Sequence, residues 1–336
     1  MMNKKTYYYI LVGVAVAVAC GVLVLHSNNS FEISKSGVGS ILGLSKNTSL
    51  GSITGTKCSN AGNRPVAVML SSDPEARPLS AIGQADIVFE MPVTPNGVTR
   101  MMPVFQCEQP KEFGSVRSSR LDFVPLALGL NVIYAHFGGE HAVLAELNRG
   151  IIDNIDGLKF DGTIYYRKQN IPRPHNAFTS TSLIEKAIQQ LGYTRNGLVN
   201  GYQHESNSKS LGHLSVGGQP PTFYQNRFRV DWKYDSSSNN YLRSRDNRPE
   251  IDKNTGKQVS VQNVVEIQTT WSPIDINYLR IKTTGSGLAT FYKDGQTTKG
   301  TWEKNGDKSK LYFYDENHKE IKFVPGKIWV EITTQF

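Results

Sequence analysis

Arginine and histidine side chains beside short apolar segments are the residues most suited to chemistry in this sequence. Arg117-Ser118-Ser119-Arg120 precedes an apolar stretch, and His136 ends another at Gly138-Gly139. Guanidinium and backbone N–H groups bind anions, and an imidazole accepts a proton near neutral pH. The pattern indicates a pocket for an acidic ligand. The candidate pocket residues are Arg77, Asp86, Glu90, Thr99, Arg100, Arg117, Ser118, Arg120, His136, Gly138, Gly139, His175 and Asn176.

The same charged residues also fit a structural role. Asp86 and Glu90 are four positions apart, which places both on one face of a strand. They are possible partners for Arg100, Arg117 and Arg120, because a partly buried arginine usually has a carboxylate partner. Spacing alone favours such ion pairs over a ligand pocket.

Motifs of the common enzyme classes are missing from the sequence. It has no Gly-x-Ser-x-Gly, no His-Glu-x-x-His and no Cys-x-x-Cys, and no phosphate-binding glycine loop follows a strand. Gly138-Gly139 resembles a phosphate or oxyanion turn, but it is also typical of a tight strand-to-helix turn. We therefore expect no metal and no cofactor, and we favour binding over catalysis while leaving enzymatic activity open.

Residues 1–26 have the pattern of a signal-anchor. Lys4 and Lys5 precede the uncharged segment Tyr7 to Leu25, whose 19 residues approach the ~30 Å hydrocarbon core at about 1.5 Å per residue. The paired lysines predict a cytoplasmic N-terminus, with the chain after the span outside the cytoplasm. A cleaved signal peptide and a lipoprotein signal with lipidation at Cys20 are alternatives that also export the folded part.

The net charge of +8 suggests a nucleic-acid partner, but its distribution argues against one. Residues 58–200 contain 13 basic and 13 acidic residues, and the chain has no Lys/Arg run. We therefore expect no nucleic-acid partner. Aromatic residues make up 10% of the chain, enough for a packed core and against wholesale disorder.

The 336 residues allow about two domains. Residues 27–57, rich in Ser, Gly and Asn, predict a flexible linker. Strands alternate with helices over 58–205, which predicts an α/β or α+β layered domain. A second linker over 206–222 leads to 223–336, where short alternating runs and turn signals predict a mostly antiparallel β domain packed on the first.

Three further patterns give local predictions. Ser182 and Glu185 form a capping-box pattern before a helix that Gly192 ends. Cys58 and Cys107 are either a disulfide, which an oxidising exterior permits, or two separate buried thiols. The tryptophans on strand-like runs fit a glycan-binding face, although core positions are commoner. They are Trp271, Trp302 and Trp329.

A co-linear series of motifs over about 64–332 resembles the YerB-like family of bacterial envelope proteins, which are often described as lipoproteins. The motifs include Arg64-Pro-Val-Ala-Val-Met, Ala85-Asp-Ile-Val-Phe-Glu, Gly97-Val-Thr-Arg, Gly114-Ser-Val-Arg-Ser-Ser-Arg, His136-Phe-Gly-Gly, Pro174-His-Asn and Pro325-Gly-Lys-Ile-Trp. The resemblance implies two successive domains of uncharacterised biochemical function. Ser71-Ser72 stand where the family tends to have Asp-Asn, and Ser115 stands where it has Pro, so a family catalytic site would be altered here.

These observations predict a membrane-anchored extracytoplasmic protein, attached to the cell membrane through residues 7–25. We expect it to bind another envelope protein or an acidic cell-wall polymer through the arginine- and histidine-lined pocket. The alternative is an enzyme acting on an envelope glycan or peptide, with His136 or His175 as general base.

Overall fold

A large sheet forms the centre of the protein. The structure, a computed structural model, describes residues 49–206 and 220–334. The strands of this sheet are, in chain order, β1 (Val66–Val68), β2 (Leu70–Ser71), β3 (Ile87–Pro92), β4 (Thr99–Phe105), β5 (Ile133–His136), β6 (Asn154–Asp156), β7 (Asn263–Thr269), β8 (Gly285–Lys293), β9 (Gln296–Lys304), β10 (Tyr312–Asp315) and β11 (Ile328–Thr334).

The order across the sheet is β10-β9-β8-β7-β11-β3-β4-β1-β5-β6, and β2 also pairs with β4. The last strand, β11, lies parallel to β7 on one side and to β3 on the other. Both halves of the chain therefore contribute to one sheet, joined by hydrogen bonds between β11 and β3. The sequence predicted the β-rich C-terminal half and the packing of the halves, but not this shared sheet.

Side chains alternate between two cores on opposite faces of the sheet, as the period of a strand requires. In β3, Ile87, Phe89 and Met91 belong to one core, and Val88 belongs to the other. Trp302 and Trp329 are fully buried, one in each core. Strands buried on both faces are typical of the middle of a large sheet.

Helices are few among the described residues. They are α1 (Val124–Gly129), α2 (His141–Asn148) and α3 (Thr181–Leu191), with 3₁₀ turns at Pro74–Ala76, Ile82–Gln84, Leu121–Phe123 and Asn226–Phe228. The Ser180 hydroxyl accepts a hydrogen bond from the Leu183 N–H, so the cap of α3 is Ser180 and not Ser182. Ser180 has the extended conformation that an N-cap requires. Gly192 ends the helix with φ of 69°, as the sequence predicted.

Smaller sheets surround the central one. A four-stranded sheet contains Val230–Asp235, Asn240–Arg245, Arg248–Pro249 and Ser260–Val261. A three-stranded sheet contains Phe113–Gly114, Tyr166–Arg167 and Ala177–Thr179. The two-stranded pairs are Ser49–Leu50 with Lys57–Cys58, Gln203–His204 with Lys322–Phe323, and Trp271–Pro273 with Leu279–Ile281.

A disulfide joins Cys58 to Cys107, with 5.3 Å between the Cα atoms. It fixes the N-terminal strand pair to the segment that follows β4. Of the two sequence-based alternatives for these cysteines, the structure contains the bond.

Several expected features lie outside the described residues. They are the signal-anchor over 1–26, Cys20, most of the first linker and residues 207–219 of the second. Within 49–206 and 220–334, no helix is both long and apolar enough to span a membrane.

Candidate functional site

The ends of two strands and one irregular segment place charged side chains at a common point. Asp73 lies two positions after the end of β2, and Ser71 of β2 pairs with Arg100 of β4. The backbone N–H of Arg117 donates to the Met69 carbonyl at 2.8 Å. The backbone hydrogen bonds of three separate segments thus bring Asp73, Arg100 and Arg117 together.

Asp73 is the carboxylate at the centre of this site. Its Oδ2 atom lies 3.1 Å from Nη1 of Arg100 and 4.0 Å from Nδ1 of His175. The Ser71 hydroxyl donates a hydrogen bond to the same oxygen at 2.6 Å. We call the set Asp73, Arg100, Arg117, Arg120 and His175 the arginine cluster.

Arg117 and Arg120 contribute positive charge that no carboxylate neutralises directly. Nη1 of Arg117 donates to the Pro174 carbonyl, and Nη1 of Arg120 donates to the Ser119 carbonyl. The Arg120 guanidinium also lies over the Tyr278 ring, 4.8 Å from its centroid. Within the part of the chain that the structure describes, neither arginine forms a salt bridge.

Four nitrogen atoms of the cluster are buried without a hydrogen-bond partner among the described residues. The atoms are Nε of Arg100, Nε of Arg117, Nε of Arg120 and Nδ1 of His175. Buried polar atoms in native proteins usually have partners, and exceptions call for an explanation such as a bound water or ion. An anionic group is one such partner, because it offers several acceptor oxygens.

Burial and neighbouring charge set the protonation states of the cluster. Burial and the nearby Arg117 hold the pKa of His175 below its ordinary value of 6.5, so the imidazole is neutral at pH 7. Burial raises the pKa of Asp73, but Arg100 and the Ser71 hydroxyl outweigh this and bring it below 3.8. Burial lowers the pKa of Arg100 to about 10, which still leaves it charged.

The Gly138-Gly139 turn supports the segment that carries Arg117 and Arg120. The Ser119 N–H donates to the Gly138 carbonyl at 2.9 Å, and the Phe137 N–H donates to the Arg117 carbonyl at 3.0 Å. Ser118 lies half-buried in the same segment. The turn therefore positions the arginines through its backbone.

His136 is buried in the interior, where both ring nitrogens have polar neighbours. The side chain is fully buried, with Nδ1 2.8 Å from the Gly138 carbonyl and Nε2 3.3 Å from Oδ1 of Asn154. Burial lowers the pKa of His136, which outweighs the opposing effect of Asp156. Among the described residues, His136 and His175 share no hydrogen-bond or ion-pair partner.

Glu90 belongs to a separate group of buried charges, which we call the buried ion network. Its carboxylate accepts hydrogen bonds from Arg243 and Arg245 and from the Thr99 hydroxyl. Glu250 pairs with the same two arginines, and Glu331 lies 3.6 Å from Arg243. The network members are Glu90, Arg243, Arg245, Glu250 and Glu331.

The other expected site residues lie apart from the arginine cluster. Asp86 accepts hydrogen bonds from the N–H groups of Gln106 and Cys107, and burial raises its pKa. Nη2 of Arg77 donates to the Ser72 and Arg227 carbonyls. Oδ1 of Asn176 accepts from Arg167 at 2.9 Å.

Two family models together match most of the chain. Residues 53–194 match the N-terminal domain of a protein family of unknown function, DUF3048, and residues 221–330 match its C-terminal domain. The chain belongs to the DUF3048 family. The resemblance to the YerB-like family found in the sequence is confirmed, because both domain models match this chain in order and a relative described as YerB is 32% identical to it.

A relative of this DUF3048 chain comes from Bacillus subtilis (strain 168) and is described as "Putative lipoprotein YerB". The two are 32% identical over 272 residues, which cover 80% of this chain and 81% of the relative. The crystal structure of YerB from Bacillus subtilis superposes with a TM-score of 0.74 at 29% identity. That match covers 84% of this chain and 95% of the solved one.

Ser71 and Ser115, two positions at which the sequence was expected to differ from its family, lie next to the arginine cluster. The Ser71 hydroxyl binds the central carboxylate, whereas the Ser115 hydroxyl is buried without a partner among the described residues. The Ser71 N–H donates to the Ser115 carbonyl at 3.2 Å, so these two positions adjoin each other.

Sequence analysis missed the carboxylate at the centre of the cluster. Asp73 stands two positions after a buried strand, where side chains gather at a sheet edge, and that position was the available signal. Arg243 and Arg245 were also missed. Their alternate spacing along Asn240–Arg245 places both on one face, but nothing in the sequence shows that this face meets β3.

Proposed function

We propose that this chain is a membrane-anchored envelope protein that binds an anionic group, carried by an acidic wall polymer or by another envelope protein, at the arginine cluster. One observation carries the proposal. The cluster contains three guanidinium groups and an imidazole but one carboxylate, Asp73, and that carboxylate pairs directly with Arg100. The site therefore has more positive charge than its own residues balance.

Two further carboxylates act on the cluster electrostatically, but each has a direct partner elsewhere. The Asp122 carboxylate interacts with Arg120 at longer range, accepts the Ile281 N–H at 2.8 Å and lies 3.4 Å from Arg280. Glu75 pairs with Arg227 at the surface. Uncompensated buried charge is costly, and an anionic ligand with hydrogen-bond acceptors would remove that cost.

The test is a calorimetric titration of the full chain in detergent with poly(glycerol phosphate) and with inorganic phosphate. Arg117→Gln removes one unpaired guanidinium, so we expect affinity to fall by about ten- to a hundredfold, as for loss of a charge-assisted hydrogen bond. Arg149→Gln is the matched control, since Arg149 is an exposed residue just after α2 and pairs with Glu146. Equal affinities for both variants would reject the proposal.

An enzyme acting on an envelope glycan or peptide is the second candidate, and the Asp73–His175 geometry favours it. His175 is neutral at pH 7 and its Nδ1 lies 4.0 Å from the Asp73 carboxylate, so a small movement would form the imidazole–carboxylate pair that orients a general base. His136 suits that role less, because its two ring nitrogens are engaged in the interior. Release of soluble fragments from isolated cell walls, lost in His175→Gln, would support catalysis over binding.

The anchor is a separate part of the proposal. The relative's description as a lipoprotein supports lipidation at Cys20, and the uncharged segment 7–25 supports a spanning helix. Incorporation of labelled palmitate that Cys20→Ser abolishes would assign a lipid anchor. Membrane retention of the Cys20→Ser chain without label would assign the helix.

A further inference from the structure

The hairpin formed by Trp271–Pro273 and Leu279–Ile281 exposes apolar side chains at its tip. Six consecutive residues, 272–277, are exposed. Among them, Ile276 is 89% exposed and Ile274 is 43% exposed, and the exposed Pro273 precedes both. Single aliphatic side chains on a surface are ordinary, but two at the end of one hairpin form an apolar surface that can bind a partner. We call residues 273–277 the apolar tip.

The base of the hairpin is held firmly to the N-terminal half of the chain. Leu279 and Ile281 are buried in the core, and the half-buried Trp271 packs against the same core. The Ile281 N–H donates to Oδ2 of Asp122 at 2.8 Å, and the Leu279 N–H donates to the Val93 carbonyl at 3.2 Å. The apolar tip therefore has a fixed support.

The turn at the tip is also fixed by its own hydrogen bonds. Oδ1 of Asp275 accepts the N–H groups of Asn277 and Tyr278, at 2.6 and 2.9 Å. The Ile274 N–H donates to the Tyr278 carbonyl at 2.9 Å, which closes the turn. These bonds engage the one carboxylate of the tip. A surface that is already ordered loses little conformational entropy when it binds.

The apolar tip adjoins the arginine cluster. Tyr278 follows the tip directly, and the Arg120 guanidinium lies over its ring, 4.8 Å from the centroid. Tyr278 also interacts electrostatically with the half-buried Arg117. Arg280 pairs with Asp122 at 3.4 Å, whereas Arg117 and Arg120 form no salt bridge with the residues that the structure describes. The unneutralised charge of the cluster thus lies beside the tip.

The order of side chains along the hairpin matches the order of chemical groups at a bilayer surface. Aliphatic side chains suit the acyl-chain boundary, tyrosine rings suit the headgroup layer, and guanidinium groups suit the lipid phosphates. Ile276 is at the tip, Tyr278 is no more than about 7 Å further back at ~3.3 Å per residue, and Arg120 lies over the Tyr278 ring. Interfacial segments enter a bilayer by ~5–10 Å, which is a depth that the isoleucines alone can reach.

A protein partner fits the apolar tip less well than a membrane does. A stable protein interface buries about 1,000 Å² or more, and two isoleucines with one proline supply a small part of that area. A bilayer requires no such area when the chain is already anchored in it, because tethering raises the effective concentration for a weak second contact. The membrane anchor of the proposed function supplies this condition.

We propose that the apolar tip inserts into the surface of the membrane that anchors the chain, an anionic phospholipid bilayer, with Arg117 and Arg120 at the level of the lipid phosphates. This inference goes beyond the proposed function and rests on it for the anchor. It places the arginine cluster at the membrane surface, so an anionic ligand carried by a polymer or a protein would be bound close to the lipid headgroups.

The test places a fluorophore on the tip of the full chain, reconstituted in vesicles of phosphatidylglycerol and phosphatidylcholine. Asn277→Cys is the labelled position, because Asn277 is exposed and its replacement keeps both isoleucines. Leu198→Cys is the matched control, since Leu198 is also 89% exposed but lies outside the hairpin. Cys58 and Cys107 are joined in the disulfide, and the unaltered chain gives the background from Cys20.

Quenching by lipids that carry a nitroxide near the top of the acyl chain measures insertion. We expect at least about twofold more quenching in Asn277→Cys than in Leu198→Cys, because the tip reaches the acyl boundary. Ile276→Asp, added to Asn277→Cys, should reduce quenching to the level of Leu198→Cys. Vesicles of phosphatidylcholine alone should give weaker quenching in Asn277→Cys, because the two arginines then meet no net negative charge.

Flotation of the chain with the vesicles, measured first, separates the two proposals. A chain that does not float would overturn the anchor and this inference together. A chain that floats but is quenched equally at both labelled positions, or is quenched equally with and without Ile276→Asp, would overturn this inference alone. Equal quenching in both vesicle compositions would overturn the part assigned to Arg117 and Arg120. Phosphate calorimetry of Ile276→Asp should be unchanged, so the anion site is measured independently of the tip.

Discussion

Nη2 of Arg245 donates hydrogen bonds to both carboxylate oxygens of Glu90, at 2.7 and 2.8 Å, although the residues are 155 positions apart in the sequence. Both side chains are almost completely buried. A buried carboxylate shared by two arginines is tolerated because each charge offsets the desolvation cost of the others. This contact connects a hairpin of the C-terminal half to β3, the strand of the N-terminal half that pairs with β11.

Removal of the Glu90 carboxylate should destabilise the whole fold. Glu90→Ala leaves Arg243 and Arg245 with too little negative charge in the interior, so we expect a loss of about 3–5 kcal/mol in the free energy of unfolding. Denaturant titration measures it. Glu75→Ala, which breaks an exposed pair with Arg227, should cost less than about 1 kcal/mol. If both variants lost a similar free energy of unfolding, the buried ion network would contribute no more to stability than an exposed ion pair.

The disulfide should contribute strongly to stability. Cys58→Ser with Cys107→Ser removes a cross-link between residues separated by 49 positions, and we expect about 2–5 kcal/mol lower stability. Thermal unfolding with and without reductant measures the effect. In the unreduced denatured chain, an alkylating reagent should label neither Cys58 nor Cys107. Rapid labelling of both would show that the disulfide is absent.

Stability should also depend on the ionisation of Asp122. Burial raises its pKa to about 6 from an ordinary 3.8, so the folded state holds this proton more tightly than the unfolded state does. The contribution of Asp122 to stability is full below pH 4 and is lost as pH rises through 6. Asp122→Asn still offers an acceptor to the Ile281 N–H. Its unfolding free energy should therefore fall less between pH 4 and 7 than that of the unaltered protein.

Anion affinity at the arginine cluster should rise on acidification. The pKa of His175 lies below its ordinary 6.5 and that of Asp73 below its ordinary 3.8, so the imidazole gains charge as the pH falls below 6.5, while the carboxylate keeps its charge down to pH 3.8. Phosphate itself loses negative charge as the pH falls, which opposes this rise. Sulfate, which stays doubly charged, is the cleaner probe. His175→Gln should show no such rise with sulfate.

Local patterns in the sequence were sufficient for many elements and insufficient for their assembly. The short alternating runs of the C-terminal half predicted strands such as Ile328–Thr334, and Gly192 predicted the end of a helix. The pairing of Ile328–Thr334 with Ile87–Pro92 involves positions about 240 residues apart, and periodicity carries no information on partners at that distance.

The candidate site was predicted in part for the same reason. Arg100, Arg117, Arg120 and His175 were identified by residue type, and the structure brings them together. Glu90 had equally suggestive chemistry, yet its partners come from Asn240–Arg245, which only the tertiary fold reveals. Residue types thus indicated which side chains could bind a ligand, and the strand pairings determined which of those side chains lie together.

The position of β11 has a consequence for synthesis and export. A chain that emerges N-terminus first presents β3 with one edge open until residues 328–334 follow, because β11 covers that edge. An unpaired apolar strand edge invites pairing with other chains. A message truncated shortly before its stop codon would therefore yield a product that lacks one strand near the centre of the sheet, and such a product is a natural target for envelope proteases.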